Sequence, residues 1–224
     1  MKIDFLRLME GPLTEEKKKE FYPFVEVMMQ NKCALKEVET KLQVLDEEFS
    51  ALNDRNPIQS INSRIKAPLS ILEKLERKGL EPTVGNMTKY LNDIAGVRVV
   101  CSFTEDIYML ADMLMKQDDI VLVERKDYIE HPKDNGYRSL HLILDIPVFL
   151  SSEKKVMRVE VQFRTIAMDF WASLEHQLKY KKKIDNPEEI AMELKYCADI
   201  ITEMDIKMQN IRAMIEQEQT KHII

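Results

Sequence analysis

The chain has 224 residues, 45% of them hydrophobic, which is enough for one cored domain with appended helices. Its net charge of -6, with both signs mixed along the chain, argues against coating duplex nucleic acid through bulk positive charge but leaves room for a local cationic pocket. With five glycines and no glycine-rich phosphate loop, any phosphate must be held by side chains.

Residues 20 to 52 read as a long helix or two abutting helices. Phe21, Phe24, Met28, Leu35, Val38, Leu42, Leu45, Phe49 and Leu52 recur in steps of three and four, with Asn31 the one interruption. Pro23 belongs near the first turn, where its missing N–H does no harm. Asn53-Asp54-Arg55-Asn56-Pro57 ends the helix. Pro57 to Lys66 is a short strand or an irregular lead-in. Pro68 to Gly79 is a helix with Leu69, Leu72 and Leu75 at helical spacing, and Thr83 to Leu91 is another short one. Ala95 to Phe103 is a buried strand, Thr104 caps a helix to Met115, and Ile120 to Val123 is a strand. Leu140, Leu142, Leu144 and Ile146 mark a strand to Val148. In the strand Val156 to Arg164, Val159, Val161 and Phe163 alternate with Arg158, Glu160, Gln162 and Arg164. A helix carrying Trp171 and Leu174 runs to about Lys182. Asn186-Pro187 opens the last helix, whose seam is Ile190, Leu194, Cys197, Ile201, Met204, Met208, Ile211 and Ile215. So long a seam predicts a homo-oligomer interface.

Cys33, Cys101 and Cys197 show no CxxC spacing, which predicts reduced thiols and a cytoplasmic protein rather than a disulfide framework or a zinc site. Met1-Lys2-Ile3-Asp4-Phe5 begins no long apolar stretch, so no signal peptide is expected. No run of about 18 apolar residues suggests a membrane span.

Polar residues gather at four places. Glu130 to His141 is a turn-rich loop entering a strand, and it offers Lys133, Tyr137, Arg138 and His141. Two cations, an aromatic face and an imidazole suit a nucleotide; the plainer reading is a polar loop before a strand. Arg64 and Lys66 precede Ser70 and Lys74, which share a face near a helix N-terminus, where anions are favoured. A solvated basic face is the commoner meaning of such a run. Asp93 stands just ahead of a buried strand and Arg98 lies within it, where a charge needs a partner or a ligand. Glu160, Gln162 and Arg164 share a strand face. If helices cover that face, Glu160 needs a partner such as Mg²⁺, which takes one or two carboxylates together with phosphate oxygens.

In order, Arg64-x-Lys66-x-x-x-Ser70-x-x-x-Lys74, Asp93 to Arg98, Asn135-Gly136-Tyr137-Arg138-Ser139-x-His141 and Glu160-x-Gln162-x-Arg164-Thr165 resemble the synthetase domain of the Rel/Spo family. The short length and flanking helices resemble the small alarmone synthetases, and Met168-Asp169-Phe170-Trp171-Ala172 is closer to the RelP type than to the RelQ type, where Asn is expected at position 169. The resemblance implies an α/β (α+β) fold, a mixed sheet of about five strands similar to nucleotidyltransferases, with long helices at both ends. It implies a helical region over 1–56, a synthetase domain over 57–183 and an oligomerisation helix over 184–224. It implies transfer of the β,γ-pyrophosphate of ATP to the 3′-hydroxyl of GTP or GDP, giving pppGpp or ppGpp and AMP.

Carried over by motif, Arg64 and Arg98 clamp adenine, while Lys66, Ser70 and Lys74 hold the ATP phosphates. Asp93 and Glu160 bind Mg²⁺, and Glu160 is also the candidate base. Tyr137 stacks on guanine with Asp169 and Gln162 at its edge; Lys126, Lys133, Arg138 and His141 serve the acceptor side. None of His131, His141, His176 and His222 is followed by Asp, so synthesis without hydrolysis is expected. Relatives form tetramers, so a tetramer is favoured. Two other readings stay open: a nucleotidyltransferase releasing pyrophosphate, and a non-catalytic helical oligomer or RNA-binding regulator; the charge balance also leaves room for regulation by single-stranded RNA.

Overall fold

The computed structural model describes residues 15–179 and 186–222. Helix α1 (Glu15–Leu52) precedes strand β1 (Ile58–Ile65), helices α2 (Pro68–Arg77) and α3 (Val84–Tyr90), and strand β2 (Ala95–Cys101). Helix α4 (Thr104–Met115) leads to strands β3 (Val121–Asp127), β4 (Leu140–Phe149) and β5 (Lys154–Thr165). Helices α5 (Ile166–Lys179) and α6 (Pro187–His222) complete the order. The sheet runs β1-β2-β5-β4-β3. β2 and β5 are parallel and every other pair is antiparallel, so the sheet is mixed, as expected.

Period-2 alternation divides the sheet into two chemical faces. Val97, Val99, Leu140, Leu142, Leu144, Val159, Val161 and Phe163 join Val38 and Leu42 of α1 and Ile107, Leu110 and Leu114 of α4 in the main core. The opposite face carries Arg98, His141, Glu160, Gln162 and Arg164. A second core holds Phe21 and Phe24 of α1 against Ile71, Leu75, Met87, Leu91 and Ile94. It fixes α2 and α3, and with them the segment leading to Asp93.

Several local expectations change. Pro23 lies inside α1 rather than in its first turn. An interior proline costs a helix about 3 kcal/mol, and the burial of Phe21 and Phe24 on either side outweighs it. Leu52 is 78% exposed because the core seam of α1 gives out before its last turn. In α2 the core takes Ile71 and Leu75, while Leu69 is exposed. At α4 the cap residue is Phe103, not Thr104; Phe103 N–H donates to Asp106 Oδ2 at 3.2 Å, so the carboxylate reaches back to the first turn. β2 ends at Cys101, two residues early, and β3 runs on to Asp127, four residues late. Pairing with β4 extends β3, and as an edge strand it leaves Val121, Leu122 and Val123 exposed. Lys182, the expected end of α5, lies outside the described residues. In α6 the buried residue is Ala198 rather than its neighbour Cys197, and Met204, Met208, Ile211 and Ile215 are exposed. The docked side keeps Leu194 and Ile201 of the expected seam and adds Ala198, Asp205 and Arg212.

Candidate active site

Strand register assembles the polar face. Residues directly opposite on neighbouring strands share a face. One row across all five strands reads Asn62, Arg98, Gln162, His141 and Lys126. The adjacent row places Arg64, Gly96, Glu160, Ile143 and Glu124 side by side. Gly96 has no side chain, so the floor between Arg64 and Glu160 stays open. There a cavity of about 150 Å³ is lined by Asn62, Ser63, Arg64, Asp93, Gly96, Val97, Arg98, Glu160 and Gln162.

At one side of the cavity Lys66 Nζ and Lys74 Nζ both reach Asp93 Oδ2, at 2.8 and 2.6 Å. Asp93 Oδ1 is buried and has no hydrogen-bond partner. Burial pushes the Asp93 carboxyl up, but the two lysines outweigh it and hold it below the ordinary carboxylate value.

Glu160 is held from both sides. His141 Nδ1 lies 3.2 Å from Oε1, and Gln162 Nε2 donates to Oε2 at 2.8 Å. Burial pushes this carboxyl up as well, but the hydrogen bond and charge of His141 and the Gln162 amide leave it below its usual value. Glu160 is therefore ionised at neutral pH.

The network continues away from the cavity. Tyr137 Oη is 2.8 Å from His141 Nε2 and accepts from Arg164 at 2.8 Å. Arg164 also pairs with Asp169 at 2.9 Å, and Arg98 reaches the same carboxylate oxygen at 3.2 Å. Burial and the neighbouring Arg164 lower the Arg98 pKa, and Asp169 opposes them. Lys133 Nζ sits 4.6 Å from the centroid of Tyr128 and 4.8 Å from that of Tyr137. Burial there lowers the Lys133 pKa.

Residues 63–185 match the region found in RelA / SpoT proteins. The chain belongs to the RelA/SpoT family. The GTP pyrophosphokinase YwaC of Bacillus subtilis is 45% identical over 185 residues, which is 83% of this chain and 88% of that relative. The crystal structure of small alarmone synthetase 1 from Bacillus subtilis bound to its product pppGpp is similar with a TM-score of 0.78 at 34% identity, over 88% of this chain and 98% of that one. The same synthetase bound to AMPCPP aligns with a TM-score of 0.73 at 32% identity, over 89% of this chain and 99% of that one.

Within this RelA/SpoT fold, most residues singled out from the sequence stand on one face. Arg64, Asp93, Arg98, Glu160 and Gln162 line one cavity, and Lys66 and Lys74 reach into it through Asp93. Tyr137, His141 and Asp169 form the neighbouring network. Ser70 lies in the first turn of α2. Two cations are engaged elsewhere. Arg138 donates to Ile129 O at 2.9 Å, bracing its own loop, and Lys126 pairs with Glu124 at 3.0 Å. The sequence placed Arg164 on the polar strand face but gave it no role, although it is buried beneath Tyr137 and joined to Asp169. A third polar residue on the Glu160–Gln162 face was the available signal. It also passed over Tyr128, whose ring meets Tyr137 and His141 edge-on.

Proposed function

We propose that this RelA/SpoT-family chain transfers the β,γ-diphosphate of ATP to the 3′-hydroxyl of GTP or GDP, releasing AMP and giving pppGpp or ppGpp. The observation that carries this reading is the ionised Glu160, held by His141 and Gln162 on the floor of a cation-rich cavity beside Asp93. The activity in YwaC's name, at 45% identity over most of both chains, supports it.

Arg64 and Arg98 flank adenine by cation–π contact. Lys66 and Lys74 exchange the Asp93 carboxylate for the ATP phosphates, and Ser70 adds a donor at the start of α2. Tyr137 offers its ring to guanine; Gln162 and Asp169 stand toward its edge, and Lys126 and Lys133 supply charge for the acceptor phosphates. Arg138 steadies that loop. His141 is engaged through both ring nitrogens, so it orients Glu160 rather than serving chiefly as a phosphate ligand. Glu160 takes the proton from the 3′-hydroxyl as the oxygen bonds to the β-phosphorus; the bond from that phosphorus to the α–β bridging oxygen breaks, and AMP leaves with the electron pair.

The partnerless Asp93 Oδ1 and the Glu160 carboxylate line one cavity, and two hard oxygen donors fit Mg²⁺. Among the described residues no group of three or more His, Cys, Asp or Glu could hold a metal, in keeping with an ion that relies on substrate oxygens. Asp93 and Glu160 would hold the ion, which supplies charge neutralisation at the transferred phosphates.

The synthetase domain spans 57–183, with helical regions on either side. The exposed Met204, Met208, Ile211 and Ile215 of α6 support a homo-oligomer, with a tetramer preferred. Nucleotide substrates favour a cytoplasmic setting; among the described residues no helix is long and apolar enough to cross a membrane. Assignment to the RelP branch rests on residues 168–172 alone. The test is the fate of label in ATP carrying ³²P at the β position. Label in the guanine nucleotide, with unlabelled AMP, supports the reading. Label released as free pyrophosphate would replace it with nucleotidyl transfer.

A further inference from the structure

The last helix does more in this fold than present an apolar seam. Gly136, at the tip of the acceptor loop, has φ of +85°. A Cβ there would lie 2.6 Å from Ala198 Cβ on α6 and 3.4 Å from Lys195 Cα. The loop tip therefore rests directly on one turn of α6, with no room for a methyl group between them. Ala198 is only 4% exposed. Tyr137, the next residue along the loop, packs with Trp171, Leu194 and Ile201 around the same turn. The Trp171 indole donates to Leu194 O at 2.8 Å, which fixes α5 to α6 beneath the ring. The loop is also braced within itself, by Gly136 N–H to Lys133 O at 2.8 Å and Lys133 N–H to Tyr137 O at 3.2 Å, and to α5 by Asn135 Nδ2, which donates to Glu175 Oε1 at 3.3 Å. His141 and Arg164 hold the Tyr137 hydroxyl from the sheet, and Ala198 limits the approach of the loop to α6.

The geometry points to Ala198 as a positioning residue for the guanine nucleotide, acting through Gly136 on Tyr137. This rests on the assignment of Tyr137 to the acceptor nucleotide. Ala198 touches neither substrate nor reacting atoms. Its small side chain sets the distance at which the Tyr137 ring is presented, while the ATP side is built on β1, β2 and α2.

The experiment is steady-state kinetics of the full chain with each substrate varied in turn, for wild type, Ala198→Val, Gly136→Ala and the double variant Gly136→Ala/Ala198→Gly. Small displacements of positioned groups carry large kinetic costs, so Ala198→Val should raise KM for GTP about tenfold and leave KM for ATP within about twofold. Gly136→Ala should show the same asymmetry. Adding Ala198→Gly to it removes the opposing methyl and should recover part of the loss in KM for GTP. That recovery keeps the inference testable even if Ala198→Val fails to fold. Equal changes in both KM values, or a double variant no better than Gly136→Ala, would overturn it. A wild-type protein that makes no product would sink the activity reading instead; the seat is then judged by the same pattern in the Kd for GDP.

Discussion

His141 Nδ1 lies 3.2 Å from Glu160 Oε1, diagonally across β4 and β5. The ring meets Glu160 at Nδ1 and the Tyr137 hydroxyl at Nε2, and that hydroxyl accepts from Arg164. The carboxylate is thus oriented by a histidine that is itself oriented by a tyrosine.

Glu160→Gln keeps the size and one acceptor of the side chain but cannot take a proton. Turnover should fall by at least about 10²–10⁴, the usual worth of a general base. ATP and GDP binding, measured by calorimetry, should stay within a few-fold of wild type. Retained turnover would remove Glu160 from the base role.

Tyr137 can be divided into ring and hydroxyl. Stacking on a base contributes about 1–3 kcal/mol, so Tyr137→Ala should raise KM for the guanine nucleotide about tenfold or more and spare KM for ATP. Tyr137→Phe keeps the ring and loses the link from His141 to Arg164. Its expected defect is in kcat, and a change confined to KM would contradict the orienting role.

The Asp93 carboxyl is held below its unfolded pKa by Lys66 and Lys74. Its contribution to stability is therefore full above the unfolded value and is lost as pH falls through the lower, folded one. Urea unfolding of the wild type should weaken as pH drops below about 4, the ordinary aspartate range. Asp93→Asn should flatten that decline. An identical decline in both proteins would assign the acid sensitivity elsewhere.

Asp205 behaves in the opposite sense. Burial on α6 raises its pKa against the one hydrogen bond from Thr165. The folded state therefore loses stability as pH rises from the unfolded value through the raised one, and the deficit persists at pH 7. Asp205→Asn keeps an acceptor for Thr165 without the charge. Tm at pH 7 should rise, and the gain should shrink toward pH 4.

Local pattern carried much of this fold. Alternation through Val159, Val161 and Phe163 predicted both β5 and the face that bears Glu160 and Gln162. Gly79, with φ of +68°, follows the end of α2 as its residue type suggested. What the sequence hid is non-local. Nothing in the text around Lys126 says that it lies opposite His141, or that Arg98 lies opposite Gln162, because pairing across the sheet sets both. Ala198 was invisible for another reason: a methyl group on a helix carries no chemical signal, and only the closeness of Gly136 gives it a role. Pro23 misled because packing of Phe21 and Phe24 overrode the local preference.

The most direct measurement is a ³¹P NMR time course of the purified protein with ATP, GTP and Mg²⁺. A pair of coupled 3′-diphosphate resonances and an AMP singlet should grow in equal amounts, with neither in Glu160→Gln. A pyrophosphate singlet, or unchanged nucleotides with folded protein, would contradict it.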